Sequence, residues 1–133
     1  MIGEMILGHL CGDYLCQTSW MAKNKTKNTF EGWIAAFIHC IVYSCSVCLF
    51  MMKFDLFWFV IVFFTHFPID KFSLGEWFMK TFKGISLNDY LNGNQSKINR
   101  SVIVEGSFTS IVYIFTDNTI HLVLMYVFYL IIY

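Results

Sequence analysis

The feature that most constrains the fold is a series of four apolar stretches, at residues 2–22, 30–52, 54–71 and about 107–133. A helix needs about 20 mostly apolar residues to cross the hydrocarbon core of a bilayer, and each stretch is near that length. Charged residues make up only 14% of the chain, whereas soluble domains have about 25%. We therefore predict an all-α integral membrane bundle of four transmembrane helices, forming a single domain over residues 1–133.

A polar region separates the third and fourth stretches. In "KFSLGEWFMKTFKG" the aromatic residues alternate with charged ones, which favours a short amphipathic helix lying at the membrane interface. The alternative is a short amphipathic turn packed on the bundle. The next segment, "ISLNDYLNGNQSKINR", is rich in Asn, Ser and Gly and predicts a loop.

The distribution of lysines predicts an orientation. The first and third connections are basic, whereas the second carries only Lys53 beside Asp55. The positive-inside rule then places the first and third connections in the cytoplasm and both termini outside, in the cell (inner) membrane. The formal net charge is zero, so no overall field attracts nucleic acid, and we expect membrane lipids as partners. A homo-oligomer is compatible with this composition.

Small residues predict where the helices meet. Gly8 and Gly12 share one face of the first stretch, and small side chains let membrane helices approach closely. A matching stripe on the second stretch comprises Gly32, Ala36, His39, Tyr43 and Ser46. All five cysteines lie in apolar segments, where we expect them to pack as small hydrophobes. A redox or zinc role for the C-x-x-C of Cys45 and Cys48 is the weaker alternative.

The four histidines of the chain all lie in these apolar stretches, and three have an aspartate four residues away. The pairs are His9 with Asp13, His66 with Asp70, and Asp117 with His121, while His39 stands alone. On an α-helix, residues four apart face the same direction one turn apart. The three pairs and His39 can therefore converge on one point inside the bundle.

The free-energy cost of burying aspartates in a membrane suggests which ligand would bind where these side chains converge. An Asp near the centre of a membrane helix costs about 2.5–3.5 kcal/mol on insertion scales. His and carboxylate ligands suit Zn most, and also Mn, Fe or Ni, and a bound cation would favour the charged aspartates. We predict the seven His and Asp residues as ligands; because they exceed four positions, either two metals bind or some residues orient the others. The alternative is a set of hydrogen-bonded contacts between helices.

The same motifs carry a family resemblance. "GHLCGDYLCQTSWMAKNK", the "HC" of the second stretch, "HFPIDK" and "DNTIH" resemble the small bacterial and phage membrane proteins of domain-of-unknown-function family 3307, over nearly the whole chain. That family is similar to predicted membrane-bound metal-dependent hydrolases. The resemblance implies that the seven ligands occupy signature positions, with Gln17 and Lys23. Asn118 departs from the pattern, which has Gln after the Asp, and we group it with Gln17 and Lys23 as outer residues of the site.

Three functions fit these features. The first is a metal-dependent hydrolase of a lipid or lipid-linked phosphate reached from the cytoplasmic side, with one of Asp13, Asp70 and Asp117 acting as general base. The second is a carrier or channel for a metal ion or proton, in which the same residues form a transit site. The third is a non-catalytic membrane interaction protein. Convergence of the His and Asp side chains would favour the first two.

Overall fold

The computed structural model of this chain describes residues 1–83 and 100–133, and every regular element in those ranges is helical. Residues 84–99 lie outside the described residues, and with them nearly all of the predicted polar loop. The elements are α1 (Ile2–Leu10), a π-helical turn (Cys11–Leu15), α2 (Ser19–Asn24), α3 (Phe30–Phe50), α4 (Leu56–Lys71), α5 (Leu74–Phe78), a second π-helical turn (Met79–Lys83) and α6 (Arg100–Ile132).

Within residues 1–83 and 100–133, two helical segments are long and apolar enough to cross a bilayer, namely Phe30–Phe50 and Ser107–Ile132. They indicate a membrane protein, as predicted. A third span is counted only if Leu56–Lys71 and the following Leu74–Phe82 are taken together as one broken span. The all-helical class is therefore confirmed, whereas the number of four continuous spans is not.

The first predicted span, residues 2–22, is not one continuous helix. The π-helical turn ends at Leu15, and Thr18 begins a new helix by accepting a hydrogen bond from the backbone N–H of Met21. The segment nevertheless runs antiparallel to α3 over most of its length. Gly8 lies against Val47 near the end of α3, and the Trp20 indole donates a 2.8 Å hydrogen bond to Glu31 near its start.

Helix α4 also runs antiparallel to α3. The rings of Phe63 and Phe67 pack on Phe37 and Trp33, respectively, with centroids 5.4 and 6.0 Å apart. Asp55 caps α4 by accepting a hydrogen bond from the N–H of Phe57. Helix α3 is therefore the central element, with the α1–α2 segment and α4 packed along it.

The described residues divide into two compact units, Met1–Ser73 with His121–Tyr133, and Leu74–Ile120. The core of the first unit is made of buried apolar residues from α1, α3, α4 and the end of α6: Met5, Tyr43, Val47, Cys48, Trp58, Val62 and Met125. In the second unit, α5 supplies the short helix predicted between the third and fourth stretches, and Gly75 of α5 packs against the side chain of Asp117.

Candidate metal centre

Four side chains of the first unit meet at one point. Their donor atoms, which all lie within 4.8 Å of one another, are Asp13 Oδ1, His39 Nε2, His66 Nε2 and Asp70 Oδ2. His39 Nε2 is 3.1 Å from His66 Nε2, 3.2 Å from the Asp13 oxygen and 2.9 Å from the Asp70 oxygen. His66 Nε2 is 3.4 and 3.2 Å from those two oxygens. We call these four residues the His/Asp cluster.

Three separate segments bring the cluster together. His39 lies in the middle of α3; His66 and Asp70 lie one turn apart on α4, on either side of Pro68; and Asp13 lies in the π-helical turn after α1. An extra residue in a π-turn changes the direction of its side chains, and such turns are frequent at functional sites. Asp13 therefore meets His39 although the chain around it is not a regular α-helix.

The spacing of the cluster is close to that of a tetrahedral metal site. Bonds of about 2.0–2.1 Å from zinc to nitrogen or oxygen place tetrahedral ligands about 3.3–3.4 Å from one another. Five of the six donor separations run from 2.9 to 3.4 Å, and the sixth, between the Asp13 and Asp70 oxygens, is at most 4.8 Å. Two imidazoles and two carboxylates are also a ligand set that divalent transition metals accept. The four residues can therefore hold one metal ion without a large rearrangement.

The cluster is almost entirely shielded from solvent. The side chains of His39 and His66 are 0% and 1% exposed, and those of Asp70 and Asp13 are 4% and 11% exposed. The Nδ1 atoms of both histidines are buried and have no hydrogen-bond partner among the described residues. The rings are thus oriented by their contacts at Nε2 and, for His66, by Tyr43, whose ring stacks on it with centroids 3.5 Å apart.

His9 lies behind Asp13 rather than in the cluster. Its Nδ1 is hydrogen-bonded to the Tyr43 hydroxyl at 2.9 Å and lies 3.4 Å from Asp13 Oδ2, whereas His39 contacts Asp13 Oδ1. His9 is fully buried. The predicted His9–Asp13 pair is therefore in contact, and His9 lies outside the four donor atoms of the cluster.

His121 also lies beside the cluster. Its Nε2 is 3.6 Å from Asp70 Oδ1, and its ring is 4.4 Å from that of His66 and 5.4 Å from that of His9, centroid to centroid. Six of the seven predicted ligands thus lie together in the first unit. The seventh, Asp117, belongs to the second unit with Asn118.

Lys25 contacts the His/Asp cluster, and the sequence prediction did not include it among the site residues. Its Nζ donates hydrogen bonds to Asp70 Oδ2 at 2.5 Å and to Gln17 Oε1 at 2.8 Å. Gln17 therefore contacts Lys25 beside the cluster. Lys23 is exposed and makes no hydrogen bond or ion pair with the described residues of the cluster. The three lysines of this connection alternate in the sequence, so only the three-dimensional structure distinguishes them. A second missed residue is Tyr43, which the small-residue stripe predicts only as a packing position.

The charges of the site do not balance by themselves. Two carboxylates and the Lys25 ammonium sum to −1 when the histidines are neutral. A buried charge of this kind needs a counter-charge. A proton on the His39–His66 pair would neutralise it, and a divalent ion would carry the sum to +1.

Together, the two membrane-length helices and the buried His/Asp cluster define a helical membrane protein with a polar site among its helices. The chain belongs to the family described as "Protein of unknown function (DUF3307)", whose model matches residues 1–133. The family resemblance carried by the motifs is thereby confirmed. The chain matches no curated protein and no solved structure.

Proposed function

We propose that this membrane protein binds one divalent metal ion through Asp13, His39, His66 and Asp70, and that it is a metal-dependent hydrolase of a lipid or lipid-linked phosphate. The observation that carries the proposal is the convergence of four donor atoms at metal-ligand spacing from three separate segments. Zn suits this ligand set most closely, and Mn, Fe or Ni use the same ligand types.

The charge of the cluster supports both the metal and the class of substrate. A divalent ion turns the formal sum of −1 into +1, and an anion bound at the site would then bring the sum to zero or below. Phosphate esters are anions of the required kind. At a buried position, where the effective dielectric constant is low, such pairing is stronger than in water.

A bound metal would supply Lewis-acid polarisation of a phosphoryl oxygen and activation of water near neutral pH. A side chain of the protein would accept the proton that the water loses. Asp13 is the most exposed of the four proposed ligands, and its Oδ2 faces His9. We assign Asp13 Oδ2 as the proton acceptor and His9, held by the Tyr43 hydroxyl, as the residue that orients it.

The test is release of inorganic phosphate by the full chain in phospholipid vesicles that contain phosphatidic acid and added Zn²⁺ or Mn²⁺. We expect metal-dependent release, slowed by at least about 10²-fold in His9→Gln because proton transfer is impaired. Asp55→Asn serves as the control. It alters a carboxylate at the end of α3 opposite to Lys25 and should not change the rate of phosphate release. Metal-loaded protein that releases no phosphate from any lipid phosphoester would rule out the hydrolase.

A carrier of protons or metal ions is the second candidate. The rings of His39, His66, His121 and His9 form an unbroken series, with successive centroids 5.2, 4.4 and 5.4 Å apart. Such a series of buried imidazoles is a means of moving protons between membrane-embedded groups. Flux of protons or metal into vesicles, without hydrolysis, would favour this function.

We further propose that the chain crosses the cell membrane four times with residues 1 and 133 outside. Lys25, Lys27 and Lys71 meet at the start of α3, where Lys71 Nζ donates hydrogen bonds to the carbonyls of Lys25 and Lys27. At the other end of α3, Lys53 lies over the ring of Tyr133. The excess of lysines at the start of α3 supports a cytoplasmic location for that end.

A further inference from the structure

We infer that Lys25 forms, together with the metal position, a binding site for the phosphate group of an anionic substrate. This inference rests on the proposed metal site and assigns the residue that recognises the substrate. The Lys25 ammonium donates to Asp70 Oδ2, one of the four cluster atoms, and to the side-chain oxygen of Gln17.

The backbone around Lys25 is fixed. Lys71 Nζ, on a side chain only 2% exposed, donates hydrogen bonds of 3.2 and 2.7 Å to the carbonyl oxygens of Lys25 and Lys27. The same turn packs so closely on α3 that a Cβ added to Gly32 would collide with the carbonyls of Lys27 and Asn24. The buried Lys71 therefore stabilises the turn that places Lys25 next to the cluster.

Lys25 and the proposed metal would compete for the same oxygen of Asp70. Its ammonium binds the same carboxylate oxygen that would hold the metal, and two cations sharing one oxygen repel each other. An anion that contacts both cations removes this repulsion. A phosphate group has several acceptor oxygens and can do so, and a lysine ammonium is a common phosphate ligand.

The exposure of the side chains gives the direction of entry. The cluster histidines are at most 1% exposed, whereas Asp13 is 11% and Lys25 is 16% exposed. An anion arriving from outside the cluster therefore meets Lys25 and Asp13 first. Lys23, which lies two residues earlier, is exposed and provides a matched control of the same charge.

The experiment measures binding of radiolabelled inorganic phosphate to the full chain in neutral detergent by equilibrium dialysis, with Zn²⁺ content measured on the same samples. We expect wild-type protein to bind phosphate only when loaded with metal. Lys25→Met should keep its metal and bind phosphate at least about tenfold more weakly, a ratio of the size expected for loss of one charge-assisted hydrogen bond. Lys25→Arg, which keeps the charge, should retain most of the binding, and Lys23→Met should bind as the wild type does.

Two results would contradict this assignment in different ways. Stoichiometric metal with unchanged phosphate binding in Lys25→Met, or equal losses in Lys25→Met and Lys23→Met, would overturn the Lys25 site alone. Absence of metal from the wild-type protein would overturn the proposed function and this site with it.

A vesicle-binding experiment distinguishes the two sources of the phosphate group. Association with vesicles of phosphatidic acid rather than phosphatidylcholine, lost in Lys25→Met, would identify a lipid headgroup as the source of the phosphate. Binding of inorganic phosphate alone would identify the free ion.

Discussion

Glycine 12 illustrates how closely the site depends on the approach of neighbouring backbones. A Cβ added there would lie 2.7 Å from Tyr43 Cδ2 and 3.1 Å from Tyr43 Cα, so the backbone of α3 would have to move. Tyr43 in turn stacks on His66 and hydrogen-bonds to His9. A side chain at position 12 would therefore disturb both the packing and the cluster.

We expect Gly12→Ala to lower the free energy of unfolding by about 1–3 kcal/mol, as overpacking usually does. Gly3→Ala is the matched control: it lies in α1, nothing is within 4 Å of its added Cβ, and removing a helical glycine should be neutral or stabilise by up to about 1 kcal/mol. Denaturant unfolding in detergent, followed by circular dichroism, measures both variants. Equal stabilities for the two would show that the close approach at Gly12 does not matter.

At the residue scale, the spacing of His and Asp predicted which of these side chains lie together, but it did not predict the residues around them. Four-residue spacing is sufficient to pair His66 with Asp70, because both lie on the regular helix α4. Lys25 could not be distinguished from Lys23, because the choice depends on a turn held by Lys71, which is distant in sequence. Tyr43 was missed as a site residue because an aromatic residue in an apolar stretch is usually a packing residue.

At the scale of the helices, apolar length proved less informative than the pattern of small residues. The predicted stripe on α3 is buried along its length, and Ser46 Oγ donates a 3.0 Å hydrogen bond to the carbonyl of Gly8. This confirms the predicted contact between the first and second stretches. Hydropathy, by contrast, cannot detect the π-helical turn at Cys11–Leu15, because such a turn changes the backbone geometry and leaves the apolar composition of the stretch unchanged.

Helix α4 is shorter than a usual membrane-spanning helix. It has sixteen residues, fewer than the about 20 that usually span a bilayer, yet it extends along α3 from the Asp55 cap to Phe67 beside Trp33. The Nε2 atoms of His39 and His66 are 3.1 Å apart, so α4 brings His66 to the level of the middle of α3.

At the scale of the molecule, the proposed orientation can be tested with fusions to an enzyme that is active only outside the cytoplasm. Fusions after residue 53 and after residue 133 should be active, and a fusion after residue 27 should be inactive, because the lysine-rich end of α3 stays inside. Immunoblots of each fusion control for expression. An active fusion after residue 27 would reverse the orientation, and different locations for residues 53 and 133 would exclude four crossings.

The central claim concerns one metal ion bound by Asp13, His39, His66 and Asp70, and elemental analysis tests it most directly. The full chain, purified with a tag that contains no histidine, would be incubated with Zn²⁺, Mn²⁺, Fe²⁺ or Ni²⁺, desalted and analysed. We predict about one ion per chain, since the four donors surround a single position, with loss of the metal in His39→Ala and in Asp70→Asn and retention in Asp55→Asn. A wild-type protein without metal, or metal that persists in both cluster variants, would contradict the claim.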